Sequence, residues 1–369
     1  MSAANEDQDK AGRRGRTASR VRGMLIGLAL GETTGAARGT PPAPGPLRAG
    51  VCTQLACFTV EGSIRALVRG SHKGICHPPS VLWHAYCRWA AVQGIDRDRL
   101  TKHWGKWAGA AWPSGWLAGV PVLAERRGSA PATVKALSQR EQGAVGRPTT
   151  NSRGWHALGR TLPIAALGDP AEVARWDAQA RDIAALTHGD PAAQSATSHA
   201  TVLARHVLAG EEIRGALRDG LTALQHSEPA GIATGDELTY LRAALDEAAA
   251  HPADPARLAR LAPDATAPSA LLGGLYAAAS FPERTGLLPA LRFAAAAPDG
   301  ASVATVTGAF LGAAHGFEAF PVDVVSRHEL VWVVDTLARD LVTEVFDGPS
   351  GGEYVPGWDP HWRDRYPGW

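Results

Sequence analysis

The stretch RVRGMLIGLALGETTGAA, residues 20–37, decides the fold class. Its apolar residues fall on one face of a helix, and glycine recurs at every fourth position: Gly23, Gly27, Gly31 and Gly35. Residues four apart share a helix face, so glycine at these positions allows a second backbone to approach closely. The stretch therefore predicts a central helix that packs tightly against another element of the core.

The rest of the chain has the same helical periodicity. Val60, Ile64 and Leu67 form an apolar stripe, and similar spacing continues through residues 170–250 and 255–345. Alternating runs of β-branched residues, which are typical of strands, are nearly absent. No low-complexity linker divides the chain. We predict one compact all-α domain built from many helices.

Composition at the two ends sets the expected limits of this domain. Residues 1–18 are polar, charged and without period, which predicts a disordered N-terminal arm. Residues 19–346 form the predicted domain. Residues 347–369 contain five aromatic side chains without helical period, and we expect this irregular tail to pack on the domain.

Charge and hydropathy exclude several classes of protein. The 369 residues are 45% hydrophobic and 20% charged, which is an ordinary globular composition. Lys and Arg number 37 against 36 Asp and Glu, so the net charge of +1 indicates neither a nucleic-acid nor a membrane partner. The chain opens on a charged segment and has no run of 18 apolar residues. These features favour a cytoplasmic protein, and they leave the oligomeric state open.

Four cysteines lie close together in the sequence, at Cys52, Cys57, Cys76 and Cys87. In a cytoplasmic protein they are expected to be reduced thiols. The alternative is a zinc site that also uses the nearby histidines. No C-x-x-C pair is present, and zinc ligands usually come in such pairs. The pattern therefore favours buried thiols over zinc.

Five segments, taken in order, resemble the ADP-ribosylglycohydrolase family of the dinitrogenase-reductase-activating type. GMLIGLALG looks like its opening glycine helix, and TQLACFTVEG and TGAFLGA resemble the helices that follow its two metal motifs. The family's N-[GS]-x-G loop is similar to the segment from Asn151-Ser152-Arg153-Gly154 to Pro163. The family's T-H segment is similar to Leu186–Gly189. The resemblance covers about residues 20–345 and implies an all-helical fold.

The same resemblance implies a glycosidic-bond hydrolase that holds two Mg²⁺ ions beside ADP-ribose. Mg²⁺ takes hard oxygen ligands, and two adjacent ions need several carboxylates. The family's [TS]-D-D-T motif corresponds here to Gly50, Val51, Cys52 and Thr53. Its D-[TS]-D-[TS] motif corresponds to Asp299, Gly300, Ala301 and Ser302. One of four motif aspartates is present, so we expect this chain to lack Mg²⁺.

The remaining candidate site residues follow from the same alignment. Asp299 and Glu32 are the candidates for a surviving catalytic pair, and Asp299 and Ser302 are the remnant metal positions. The candidate ligand-binding residues are Asn151, Ser152, His156, Arg160 and His188. Trp155 and His156 stand where the family has small residues beside the diphosphate. We expect one of them to pack towards Val51 and Cys52, and Asp299 to bond Ser302 or nearby backbone N–H groups.

These observations predict a protein that resembles the hydrolases but is catalytically inactive, a pseudoenzyme. It would act by binding a nucleotide-like small molecule or a protein partner. One alternative is a diverged hydrolase of ADP-ribosyl or related N-glycosidic bonds that uses Asp299 and Glu32. The other alternative is a structural protein that self-assembles.

Overall fold

A computed structural model describes residues 3–40, 44–95, 112–139, 141–227 and 235–368. Their longer helices are α1 (Ala3–Ala36), α2 (Val51–Lys73), α3 (Pro78–Val92), α7 (Val173–Ala185), α8 (Pro191–Ala209), α9 (Ile213–His226), α10 (Gly235–Ala250), α12 (Ala267–Ser280), α13 (Leu287–Ala295), α14 (Gly300–His315) and α16 (Val331–Asp347). The shorter helices are α4 (Pro121–Ala124), α5 (Pro131–Leu137), α6 (His156–Thr161), α11 (Pro255–Leu261), α15 (Val322–Val325) and α17 (Trp362–Arg365). Short 3₁₀ helices span Trp116–Gly119, Leu162–Leu167, Arg284–Gly286 and Phe317–Ala319. The described residues contain isolated β-bridges and no strand, which confirms the predicted all-α class.

The glycine repeat of α1 forms the central contact of the fold. A Cβ on Gly27 would lie 2.0 Å from the carbonyl oxygen of Gly308, and one on Gly35 would lie 2.3 Å from that of Gly300. Likewise, a Cβ on Gly312 would lie 2.0 Å from the carbonyl oxygen of Gly23. The backbones of α1 and α14 therefore touch in antiparallel orientation, as the sequence predicts. This contact places the N-terminus of α14 beside the C-terminal turns of α1.

The N-terminal segment differs from the disordered arm that its composition predicts. Residues 3–18 belong to α1, and residues 1 and 2 lie outside the described part of the chain. Ten of its 16 residues are Ala, Arg, Glu, Gln or Lys, which are good helix formers. It also extends a helix that is already anchored in the core, so it needs no new nucleation. Arg14 forms a salt bridge to Asp347 at the end of α16.

The C-terminal tail packs on the domain through only part of its aromatic residues. Trp362 and Tyr366 are buried, and their polar atoms donate to Glu344 Oε2 at 2.7 Å and Asp340 Oδ2 at 2.5 Å. Tyr354 and Trp358, in contrast, are 87% and 64% exposed. Trp369 lies outside the described residues.

Helix α2 lies inside the helical assembly. By length and composition it is apolar enough to cross a membrane, yet 94% of its apolar window is buried within the fold. Such a window is also typical of the core helix of a soluble protein, and α2 packs here against α3 and α16. Its N-terminus faces α1 and carries the positions that resemble the first metal motif.

Candidate functional site around the first turn of helix α2

The N-terminus of α2 is capped by a side chain from another helix. Its own N-cap residue, Gly50, has no side chain to offer. Glu32 of α1 accepts hydrogen bonds from Cys52 N at 2.9 Å, Thr53 N at 2.7 Å and the Thr53 hydroxyl at 2.6 Å. The first N–H groups of a helix have no partner within the helix, and the helix dipole favours a carboxylate there. Glu32 therefore holds α2 to α1.

Gly50 is required by this arrangement. A Cβ at position 50 would lie 2.0 Å from Glu32 Oε1. Glu32 is only 5% exposed, and this burial raises the pKa of its carboxyl, while the hydrogen bonds from Thr53 and Cys52 act in the opposite direction. Burial also raises the pKa of the neighbouring Cys52 well above its usual value, and the charge of Glu32 raises it by a smaller amount. Cys52 is therefore a neutral thiol at physiological pH.

Asp299 caps a second helix. Its Oδ1 accepts from Ser302 N at 3.0 Å, and the Ser302 hydroxyl donates to the Asp299 carbonyl at 3.0 Å. The prediction that Asp299 bonds Ser302 is confirmed. Asp299 is thus the N-cap of α14, and Ser302 in the first turn donates the capped N–H. Asp299 is partly exposed, so its carboxylate also reaches solvent.

Trp155 fills the space next to Cys52. Its side chain is 8% exposed. A Cβ on Gly159 would lie 2.5 Å from Cys52 Sγ and 3.1 Å from the Trp155 ring, so the thiol and the indole meet at this glycine. The prediction that Trp155 packs towards Cys52 is therefore confirmed. One methyl group of Val51 lies beside Gly128, 3.5 Å from where a Cβ would stand, and packing of Trp155 or His156 towards Val51 stays a prediction.

His156 packs against the indole of Trp155. Its ring centroid is 4.6 Å from that of Trp155, and the side chain keeps partial exposure. Burial and, to a smaller extent, the charge of Arg160 lower the pKa of His156 to about 4, against the opposing effect of the Asp299 charge. A neutral imidazole and a carboxylate therefore face the same region, with both side chains accessible to solvent.

Arg160 points into the core. Its guanidinium donates to Thr187 Oγ1 at 2.6 Å, Thr133 Oγ1 at 3.2 Å and Ile183 O at 3.4 Å. It also lies over the Tyr86 ring with 4.2 Å between its central carbon and the ring centroid. A guanidinium that is fully buried and used in this way holds helices together. Its predicted contact with a ligand stays a prediction.

The loop with Asn151 and Ser152 lies against His188. His188 is 1% exposed, and its Nδ1 lies 2.8 Å from Thr187 Oγ1. Its Nε2 faces Gly154, 3.6 Å from where a Cβ would stand. Burial lowers the pKa of His188 well below its usual value. Ser152 Oγ accepts from Gly154 N at 3.2 Å, and Asn151 is exposed, so the polar rim of the site comes from this loop.

The candidate residues thus divide into two groups. Glu32, Arg160 and His188 are buried and hydrogen-bonded within the fold, whereas Asn151, Ser152, His156 and Asp299 reach solvent. Sequence reasoning missed Thr53, whose hydroxyl and N–H both donate to Glu32. The feature of the sequence that could have indicated Thr53 is Gly50 at the start of α2. A glycine N-cap has no side chain to offer, so the first N–H groups of the helix need an acceptor from another element. In the described part of the chain, no three His, Cys, Asp or Glu side chains are grouped to hold a metal ion.

Comparison with known proteins defines the class to which this fold and site belong. The family model for ADP-ribosylglycohydrolase matches residues 13–350. A solved structure described as an ADP-ribosylglycohydrolase-related protein complex matches with a TM-score of 0.54 and 21% identity, over 90% of this chain and 99% of that one. No curated protein matches the chain. The chain belongs to the ADP-ribosylglycohydrolase family.

Proposed function

We propose that this protein is a catalytically inactive member of its family that acts by binding. The observation that carries the proposal is the use of Glu32. Both of its oxygens accept hydrogen bonds from the first turn of α2, where the family resemblance requires free carboxylates. Val51 and Ala301 offer no side-chain oxygen, and Cys52 is a neutral thiol rather than a hard ligand. These residues do not fit a pair of Mg²⁺ ions.

The packing of Trp155 against Cys52 supports the same proposal. Trp155 lies where a bound diphosphate would need backbone N–H groups and open space. The solvent-accessible polar groups that remain are Asn151, Ser152, His156 and Asp299. Three neutral hydrogen-bonding groups with a single carboxylate suit the hydroxyl or base edge of a nucleotide-like molecule better than a pair of divalent cations. Such a ligand, rather than a protein partner, is therefore our first choice.

Turnover assays test the absence of catalysis. ADP-ribosyl-arginine, ADP-ribosyl-serine and O-acetyl-ADP-ribose should each survive incubation with the purified protein and Mg²⁺. The triple variant Val51→Asp, Cys52→Asp, Ala301→Asp should gain metal binding and little turnover, because Trp155 remains in place. Turnover by the unmodified protein that Asp299→Ala abolishes would instead establish the diverged hydrolase.

Calorimetric titration with ADP-ribose tests the binding role. We expect a measurable affinity that His156→Ala weakens about fivefold, since one hydrogen bond to a ligand is worth about 1 kcal/mol. Glu353→Ala, an exposed substitution in the tail, is the matched control and should leave the affinity unchanged. If no heat is released, the binding role moves to a protein partner on the outer surface. A large, defined assembly in solution would favour the self-assembling alternative.

The cellular setting is part of the proposal. All four cysteines are free, and Cys52, Cys57 and Cys87 are buried. Burial raises the pKa of Cys57 and Cys87 to about 12, so these thiols are unreactive. Free thiols suit a reducing cytoplasm, and the net charge of +1 suits a partner other than nucleic acid or a membrane.

A further inference from the structure

A cavity lies at the C-terminal end of α1, where that helix meets α13 and α15. Its walls are largely apolar, and Leu47, Leu288, Leu291 and Val324 bring them together from three different parts of the chain. The volume of the cavity is about 70 Å³. A single water molecule needs a cavity of about 10–15 Å³, so this one has room for a ligand of about five to seven non-hydrogen atoms.

Few polar groups line this cavity, and two of them are unengaged. Thr33 Oγ1 already donates to the carbonyl oxygen of Arg48 at 2.9 Å. The side chains of Thr34 and Arg292, in contrast, form no hydrogen bond or salt bridge with any residue that the structure describes. Thr34 is partly exposed and Arg292 is exposed, so both side chains meet solvent. A permanent positive charge and a hydroxyl are thus available to a ligand in the cavity.

The charges around the cavity favour an anion with an apolar body. No described residue in its lining is acidic, so an anion there meets no lining carboxylate. Apolar walls gain free energy when they cover hydrocarbon instead of water. Because Arg292 is exposed, a carboxylate paired with it keeps part of its hydration, and the desolvation that makes buried ion pairs costly is limited.

We propose that this cavity binds a short-chain aliphatic carboxylate of four or five carbon atoms. Its hydrocarbon chain lies against Leu288 and Leu291, and its carboxylate accepts from the guanidinium of Arg292 and the hydroxyl of Thr34. A ligand of this class has six or seven non-hydrogen atoms, which matches the volume. The site is distinct from the one at Glu32, whose carboxylate is bonded to the first turn of α2, and it does not depend on the proposed function.

Calorimetric titration of the full chain with three probes tests the proposal. Isovalerate should bind at least about tenfold more tightly than acetate, because it buries three more carbon atoms. It should also bind about fivefold to tenfold more tightly than isovaleramide, which has the same shape and no charge. Arg292→Met should remove this second difference. Arg218→Met, which removes an exposed charge on α9, is the matched control and should bind all three probes as the unmodified protein does.

Crystals soaked in isovalerate give an independent readout. We expect electron density for the branched chain between Leu288 and Leu291, with the carboxylate within hydrogen-bonding distance of Arg292. Equal affinity of the unmodified protein for isovalerate and isovaleramide would overturn the proposal, and so would an unchanged affinity of Arg292→Met for isovalerate. Water alone in the cavity of the soaked crystals would overturn it as well, even if isovalerate binds elsewhere on the chain.

Discussion

Removing the Glu32 side chain is expected to be among the most damaging single substitutions in the core. Glu32→Ala leaves three donors without an acceptor: Cys52 N, Thr53 N and the Thr53 hydroxyl. Each buried unsatisfied donor costs about 1–3 kcal/mol, and water entering the vacated space recovers part of this. We therefore expect a loss of about 3–5 kcal/mol in the free energy of unfolding.

The contact between Glu32 and Gly50 makes this prediction specific. Gly50→Ala alone should cost about 1–3 kcal/mol, because its Cβ would lie 2.0 Å from Glu32 Oε1. In the double variant the methyl group occupies space that Glu32 has vacated. The double variant should therefore lose about 1–2 kcal/mol less than the sum of the losses of the two single variants.

Urea denaturation followed by circular dichroism measures all three variants. Asp299→Ala provides a comparison, since it removes a single N-cap bond and should cost about 1 kcal/mol. Glu353→Ala makes the same charge change at an exposed position and should stay within about 0.5 kcal/mol of the unmodified protein. If Glu32→Ala costs no more than Glu353→Ala, or if the double variant is additive, the capping argument is wrong.

Three further outcomes are expected. Burial raises the pKa of Glu344 to about 7 in the folded protein, against 4.5 when unfolded, so the folded state binds the proton more tightly. Stability should therefore fall by up to about 3 kcal/mol as pH rises from 4.5 through 7, and Glu344→Gln should remove this part of the pH dependence in denaturation curves. Millimolar Mg²⁺ should leave the melting temperature unchanged. A bound Mg²⁺ at 100 times its dissociation constant would instead add about 2.7 kcal/mol to the free energy of unfolding. A rise in melting temperature that a chelator reverses would refute the expectation of no bound Mg²⁺. Gly27→Ala, whose Cβ meets the carbonyl of Gly308 at 2.0 Å, should cost about 4 kcal/mol or more, while Gly15→Ala, with nothing within 4 Å, should gain about 0.5–1 kcal/mol in the same assay.

A hydrogen bond of the site could be predicted from the sequence where its donor and acceptor lie close together in the chain. The bond between Asp299 and Ser302 joins residues three apart at a helix start, which is a local capping pattern. The cap from Glu32 joins residues about 20 apart across two helices, and no local pattern contains it. Arg160 shows the same limit, because its partners come from α3, α5 and the segment at Ile183–Thr187.

The extent of α1 shows how context decides between helix and coil. The composition of residues 3–18 fits a solvated arm as well as an exposed helix, since both are polar. The choice follows from the buried helix that the segment continues and from the contact between Arg14 and Asp347, 333 residues later in the chain. Local propensity is a weak signal, and tertiary context overrides it.

By itself, the sequence determined the helical class, the close approach of a glycine-lined helix and the replacement of carboxylates at the motif positions. These features depend on residue type and on spacing along one helix, which fix periodicity and charge. Only the tertiary structure decided which backbone meets Gly27, which side chain caps α2 and which oxygens the buried guanidinium of Arg160 bonds. Such contacts join residues that are distant in the chain, and their energies depend on burial and on which groups meet in the folded molecule, which spacing alone does not encode.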